Sequence, residues 1–145
     1  MKRLSPAREE LANRLRAGVP CLAVCIGMQI LLERSEEGRA AGLALLPGGV
    51  GRLRHPKLPH MGWNSVRHTG DALFDGVPPD SYFYFVHSFA PGRGDGTIAE
   101  TEYGAPFASA VRTANTVGVQ FHPEKSSAVG RIVIENFVAG ARTVV

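Results

Sequence analysis

Cysteine is scarce: the 145 residues hold two, Cys21 and Cys25, inside one apolar run. On a strand, positions i and i+4 lie too far apart to bridge, and no CxxC pair or Cys/His cluster with zinc spacing occurs. A disulfide scaffold and a structural zinc module are therefore excluded. No apolar run approaches a membrane span. The N-terminus, Met1-Lys-Arg-Leu-Ser-Pro-Ala-Arg8, carries charge without the apolar segment of a signal peptide. The expected location is a reducing cytoplasm, with no membrane partner. Runs of one charge are missing too. The net charge is +3, and the basic residues are scattered (Lys2, Arg3, Arg14, Arg16, Arg52, Arg54, Lys57) with no aromatic-basic stacking pattern. A nucleic-acid partner is not expected. Repeats, low-complexity tracts and domain linkers are absent, so residues 1–145 read as one domain with room for a core.

What is present is the composition of an ordinary globular chain, 44% hydrophobic and 20% charged. Ser5-Pro6 reads as an N-cap with proline at the first helical position, followed by Ala7, Leu11, Ala12 and Leu15 at helical spacing and a stop at Gly18. Residues 20–25 predict a buried strand and 26–34 a helix. Residues 38–51 are glycine-rich and loop-like, with a short apolar piece at Leu43–Leu46. Strands are predicted at 49–54, 61–67, 81–86, 97–102, 107–112 and 116–121, separated by turn chemistry such as Asp75-Gly76 and Pro78-Pro79. A closing helix is predicted over 127–137. The order suggests an α/β fold.

Two joints could carry chemistry. Ala23-Val-Cys25-Ile-Gly27 places a cysteine where a strand runs straight into a helix, the pattern of a nucleophile elbow. Small residues on either side let the strand and helix backbones approach. The helix start favours thiolate, and the N–H of Ile26 is placed to stabilise an oxyanion. The same stretch also fits a plain apolar filler, as Cys21 does. The second joint is Gly118-Val-Gln-Phe-His122-Pro-Glu124-Lys125. Residues two apart on extended chain share a face, so Glu124 can orient the His122 ring. Taken alone, a histidine at a strand end is more often structural; His-Pro-Glu beside a cysteine elbow favours a base with its orienting acid. The elbow reading expects the Cys25 sulfur within reach of the His122 ring, with Glu124 on the other ring nitrogen.

The order Cys, His, Glu with His-x-Glu resembles the class I (triad-type) glutamine amidotransferases. Within them the chain is most similar to the branch of glutaminase subunits of imidazole glycerol phosphate synthase. Cys25-Ile-Gly-Met-Gln29, Leu58-Pro-His-Met-Gly-Trp-Asn64, Tyr84-Phe-Val-His-Ser88 and Gly118 to Ser126 carry the resemblance along nearly the whole chain. The second stretch is the most specific, since class I relatives serving other syntheses lack it. The resemblance implies a three-layer, flavodoxin-like α/β sheet. It implies Cys25 as nucleophile, His122 as general base and then acid, and Glu124 as its orienter, with no metal or organic cofactor needed. Gln29, Glu37, Ser88 and Phe89 match positions that hold glutamine. Trp63, Asn64, Tyr84 and Lys125 match the face that meets a (β/α)8 cyclase subunit in a heterodimer, and they are expected to converge on one surface near Cys25. Without the resemblance, Trp63 and Tyr84 would read as core and Lys125 as a solvated charge. His87 either supports the site or packs near it, and His55, His60 and His68 receive no role.

The chain departs from the family in two ways. Family members carry earlier strands and helices, at least one βαβ unit of roughly 30 residues, before the helix that opens this sequence. That part includes a glycine-containing loop giving a second oxyanion N–H. Pro47-Gly-Gly-Val-Gly51 looks like this loop but follows the nucleophile, so it is rejected. The expectation is a domain lacking the first strands and helix of the fold, with Leu22 and Val24 on an unpaired edge, poorly soluble or oligomeric and nearly inactive as a glutaminase. A late start codon, a fragment and a real truncation would each give this sequence. The second departure is Ala23 where the elbow normally has glycine. Two other functions stand beside the amidotransferase: a non-catalytic docking subunit, and a different class I amidotransferase or thiol hydrolase.

Overall fold

The computed structural model describes residues 6–144. The proposed cap at Ser5 lies outside them. Helix α1 (Arg8–Arg16) has Glu9 and Glu10 in its first turn and Arg14 and Arg16 in its last, the distribution the helix dipole favours. Ala12 and Leu15 are its buried residues. Strand β1 (Cys21–Val24) follows, then α2 (Ile26–Ile30) and the two-residue β2 (Arg34–Ser35). Next come β3 (Gly49–Arg52), β4 (His60–His68), β5 (Ser81–His87), β6 (Phe89–Pro91), β7 (Thr97–Tyr103), β8 (Ala105–Thr113), β9 (Thr116–Val119) and α3 (Ser127–Arg142).

The predicted helix over 26–34 is shorter than expected. Leu43 N–H bonds to Ile30 O at 2.7 Å, and Gly42 N–H to Glu33 O at 3.0 Å. The returning loop takes carbonyls that a continuing helix would have used. Leu43 and Leu46 are buried there, which explains the apolar piece in a glycine-rich segment.

Six strands form one mixed sheet in the order β1-β9-β8-β7-β4-β5, and β2-β3-β6 form a smaller one. In the larger sheet β1 and β9 are parallel, with Ala23 opposite Gly118 and Val24 opposite Val119. Its other pairings are antiparallel. Strand β1 stands at the edge, but Leu22 and Val24 are partly buried against the core rather than bare.

Each face of the sheet has its own core. One holds Phe74, Phe83, Phe85, Phe121 and Val133, with Val129, Ile132 and Phe137 of α3 packed on it. The other holds Ala12 and Leu15 of α1, Met28 of α2, Leu31, Leu43, Leu46 and Val50. That is three layers. Strand β8 serves both cores through a bulge: Ala108 pairs with Glu100 and Ala110 with Ala99, leaving Ser109 without a counterpart. Phe107 and Ala110 thus face the first core, Ala108 and Val111 the second. The Ser109 carbonyl takes the Gln120 N–H at 2.8 Å and holds the end of β9.

Candidate functional site

The cysteine joint is built as an elbow. The Cys25 N–H continues the β1 ladder to Val119 O at 2.8 Å, and its carbonyl already accepts the Gln29 N–H at 3.2 Å. Extended chain therefore becomes helix at one residue. The turn sets Cys25 at φ 55, ψ −109, a backbone conformation that non-glycine residues seldom adopt. Close approach is met at Gly118, on the neighbouring strand. A Cβ there would lie 2.8 Å from Met28 Cγ, whereas one on Gly27 would make ordinary contact with Ala23 Cβ at 3.6 Å.

The sulfur lies 3.9 Å from Val86 O, to which the thiol donates, and 3.5 Å from Gln120 Nε2, which donates to it. Burial pushes the thiol pKa up; the Ile26 N–H and the Gln120 amide pull it down, and Glu124 and Glu37 add to the rise. The net direction is upward, against the expectation that the helix start would favour thiolate. Desolvation outweighs what this short helix supplies.

His122 follows β9, with its N–H on Tyr84 O at 2.9 Å. Pro123–Lys125 then form a 3-10 turn that swings Glu124 back, and His122 Nδ1 meets Glu124 Oε1 at 2.7 Å. Ser126, fully buried, fixes this turn: its hydroxyl donates to His122 O at 2.6 Å and accepts the Tyr84 N–H at 3.0 Å. The other ring nitrogen, Nε2, is buried and makes no hydrogen bond among the described residues, so ring and sulfur are not bonded to each other. Both nonetheless lie at the carboxyl ends of the parallel pair β1 and β9, the usual position for α/β sites. Both also touch strand β5, through Val86 O and Tyr84 O.

Beside the elbow, Ile26, Gln29, Ile30, Ser35, Glu37, Gly38, Arg39 and Ala40 line a cavity of about 570 Å³. Gln29 Nε2 donates to Phe89 O at 2.9 Å and to Gln120 Oε1 at 3.1 Å, while its Oε1 is buried without a partner among the described residues. Glu37 is exposed at the rim. Ser88 and Phe89 lie outside the cavity lining; Ser88 O holds the Leu53 N–H at 2.9 Å, and Phe89 acts through its carbonyl.

Trp63 and Tyr84 are opposite one another in the β4–β5 register, their rings edge to face at 6.1 Å. Lys125 Nζ stands 6.0 Å from the Tyr84 ring centre. Trp63 is 50% exposed, which rules out the core reading, and Met61 and Tyr82 on the same hairpin are 62% and 61% exposed. Asn64 does not join them. Being adjacent to Trp63 on a strand, it projects to the other side, where its amide donates to His60 Nε2 at 3.2 Å and to Glu102 O at 3.0 Å. The expected convergence of four residues therefore holds for three.

Sequence reasoning missed Gln120, Ser126 and the His60–His87 pair. Period two already put Gln120 on the side of His122; nothing in the residue types marked Ser126 or joined His60 to His87. His60 Nδ1 and His87 Nε2 are 2.8 Å apart, and burial lowers both pKa values to about 4. Among the described residues no group of three His, Cys, Asp or Glu side chains could hold a metal ion. Among the same residues no helix is long and apolar enough to cross a membrane.

Residues 3–141 match the family model described as glutamine amidotransferase class-I. The imidazole glycerol phosphate synthase subunit HisH of Methanocaldococcus jannaschii is 46% identical over 142 residues, covering 95% of this chain and 72% of that protein. The protein of the same name from Vibrio cholerae is 49% identical over 138 residues, covering 89% and 67%. In fold, the chain is similar to the crystal structure of a glutamine amidotransferase from Thermotoga maritima. The TM-score is 0.60 at 20% identity, over 97% of this chain and 56% of that one.

Proposed function

The chain belongs to the class-I glutamine amidotransferase family, and on that premise we propose that it serves as the glutamine-hydrolysing subunit of an imidazole glycerol phosphate synthase. Its ammonia would pass to a (β/α)8 cyclase subunit for histidine biosynthesis, in a cytoplasmic heterodimer. Identity of 46% and 49% to proteins named HisH favours this reading over a different thiol hydrolase. The observation that carries it is the cysteine elbow beside a histidine whose outer nitrogen is already held by Glu124 at 2.7 Å.

Glutamine would sit in the cavity beside Ile26, its polar atoms served by the unpaired Oε1 of Gln29 and the rim carboxylate of Glu37. Burial keeps the Cys25 thiol protonated, so attack needs a base, and the unpartnered Nε2 of His122 supplies it. As the proton leaves for His122, the sulfur pair forms a C–S bond to the side-chain amide carbon. The carbonyl oxygen becomes an oxyanion beside the Ile26 N–H. Collapse breaks the C–N bond while His122 returns the proton to nitrogen, releasing ammonia. Water, deprotonated by His122, then cleaves the thioester to glutamate and the free thiol.

The apolar patch of Met61, Trp63, Tyr82 and Tyr84, with Lys125 at its margin, supports the docking reading, because β5 is also the strand that touches Cys25 and His122. The test is a titration of the cyclase with wild type and Lys125→Glu. The variant should bind at least about threefold more weakly, the loss of one favourable surface charge contact. Unchanged affinity and unchanged glutamate release would remove Lys125 from the interface.

A further inference from the structure

Two hydrogen-bonded arms meet on one carbonyl behind the nucleophile. The first begins at Asn64. Its Oδ1 accepts the Ser65 N–H at 2.8 Å, which turns its NH2 group towards His60 Nε2. His60 Nε2 is therefore the acceptor, and its Nδ1–H donates to His87 Nε2 at 2.8 Å. His87 Nδ1–H in turn donates to Phe89 O at 2.9 Å. The second arm comes from the site. Gln29 Nε2 gives one hydrogen to the same carbonyl at 2.9 Å and the other to Gln120 Oε1 at 3.1 Å. That leaves Gln120 Nε2 facing the Cys25 sulfur at 3.5 Å.

Every donor and acceptor along this path has one consistent assignment. A carbonyl only accepts, so both arms end as donors on Phe89 O, and no proton can pass between them. The link holds geometry and does not conduct. The His60 ring is clamped between Tyr103 at 4.0 Å and Phe85 at 4.9 Å, both nearly parallel to it, which fixes the first arm in the core.

We propose that His87, held by His60, is a positioning residue for Cys25: through the Phe89 carbonyl it fixes the Gln29 amide, and with it the Gln120 amide that donates to the sulfur. This rests on Cys25 as the reacting thiol. It answers which of the two roles His87 fills. A second proton on either ring would set two donors face to face, at His60 Nδ1–His87 Nε2 or at Asn64–His60 Nε2. The arm is intact only while both rings are neutral with hydrogen on Nδ1.

The test reads thiol reactivity and uses no glutamine and no cyclase. Alkylation of Cys25 by iodoacetamide is followed across pH by peptide mass mapping, which separates it from Cys21. His87→Phe keeps the aromatic volume among Phe85 and Phe107 but removes the donor. His87→Asn keeps an N–H where Nδ1 stands. The Phe variant should alkylate Cys25 at least about threefold more slowly near neutral pH, from a pH midpoint raised by about half a unit, with the Asn variant within about twofold of wild type. A folded Phe variant with the wild-type midpoint would overturn the proposal. Because the Phe variant could fail to fold, nitrogen NMR of the wild-type imidazoles gives a second reading: both His60 and His87 should be Nδ1–H tautomers at neutral pH. An Nε2–H tautomer on either would also overturn it. Retained glutamate release in Cys25→Ala would instead refute the nucleophile and leave these measurements interpretable.

Discussion

Cys25 occupies φ 55, ψ −109, and no glycine relieves it. The functional side chain is thus held in a conformation that disfavours any Cβ. Cys25→Ala and Cys25→Gly should both stop glutamate release, yet the glycine variant should be about 1 kcal/mol more stable than the alanine one in urea denaturation. Equal stability would show that the elbow is not strained. The pairing of His122 with Glu124 was expected from the period of two in extended chain, but what makes it is the 3-10 turn at Pro123–Lys125, which swings the carboxylate back to the ring. The same rule gives Gln120, two residues earlier. The Val86 carbonyl that receives the thiol was not legible, since a backbone atom carries no signature of residue type. The expected convergence of Asn64 with Trp63 on one surface was not met for a related reason: a motif fixes neighbours in sequence, but neighbours on a strand point apart.

Between elements, the decisive contact is α2 against β9. The strands fell close to their predicted places because alternation and turn residues mark both their faces and their ends. The helix over 26–34 did not, since what ends α2 is a loop returning from residues 42–46, a contact that local periodicity does not encode. Sequence pattern put close approach at Ala23 and Gly27; the tight point is Gly118. Gly118→Ala would drive a methyl into Met28, Val111 and Leu31, and should cost about 1–3 kcal/mol by overpacking. Gly27→Ala, with only Ala23 at 3.6 Å, should cost less than about 1 kcal/mol. Thermal denaturation of the two variants separates them, and a larger loss for Gly27→Ala would contradict the packing described here.

The chain as a unit should lose stability in acid through its histidine pair. His60 and His87 have folded pKa values of about 4 against an ordinary 6.5. Above 6.5 both rings are neutral folded or unfolded, and their contribution is complete. As pH falls from 6.5 towards 4 the unfolded chain takes up protons that the folded chain refuses, so stability declines across that window. The groups bearing on the pair are His55 and His122, with Tyr103 stacked on His60. Asp71, held low by Arg112, loses its contribution only below its ordinary 3.8, so the two windows separate. Urea denaturation of wild type and His87→Phe between pH 4 and 7 should show a shallower decline in the variant; parallel curves would contradict a neutral buried pair. The reaction itself is tested most directly by rapid quenching of the protein with glutamine and the cyclase, followed by peptide mass mapping. One glutamyl group on the Cys25 peptide, absent in Cys25→Ala, is the expected result. A glutamyl group on any other residue, or glutamate release that persists in Cys25→Ala, would contradict it.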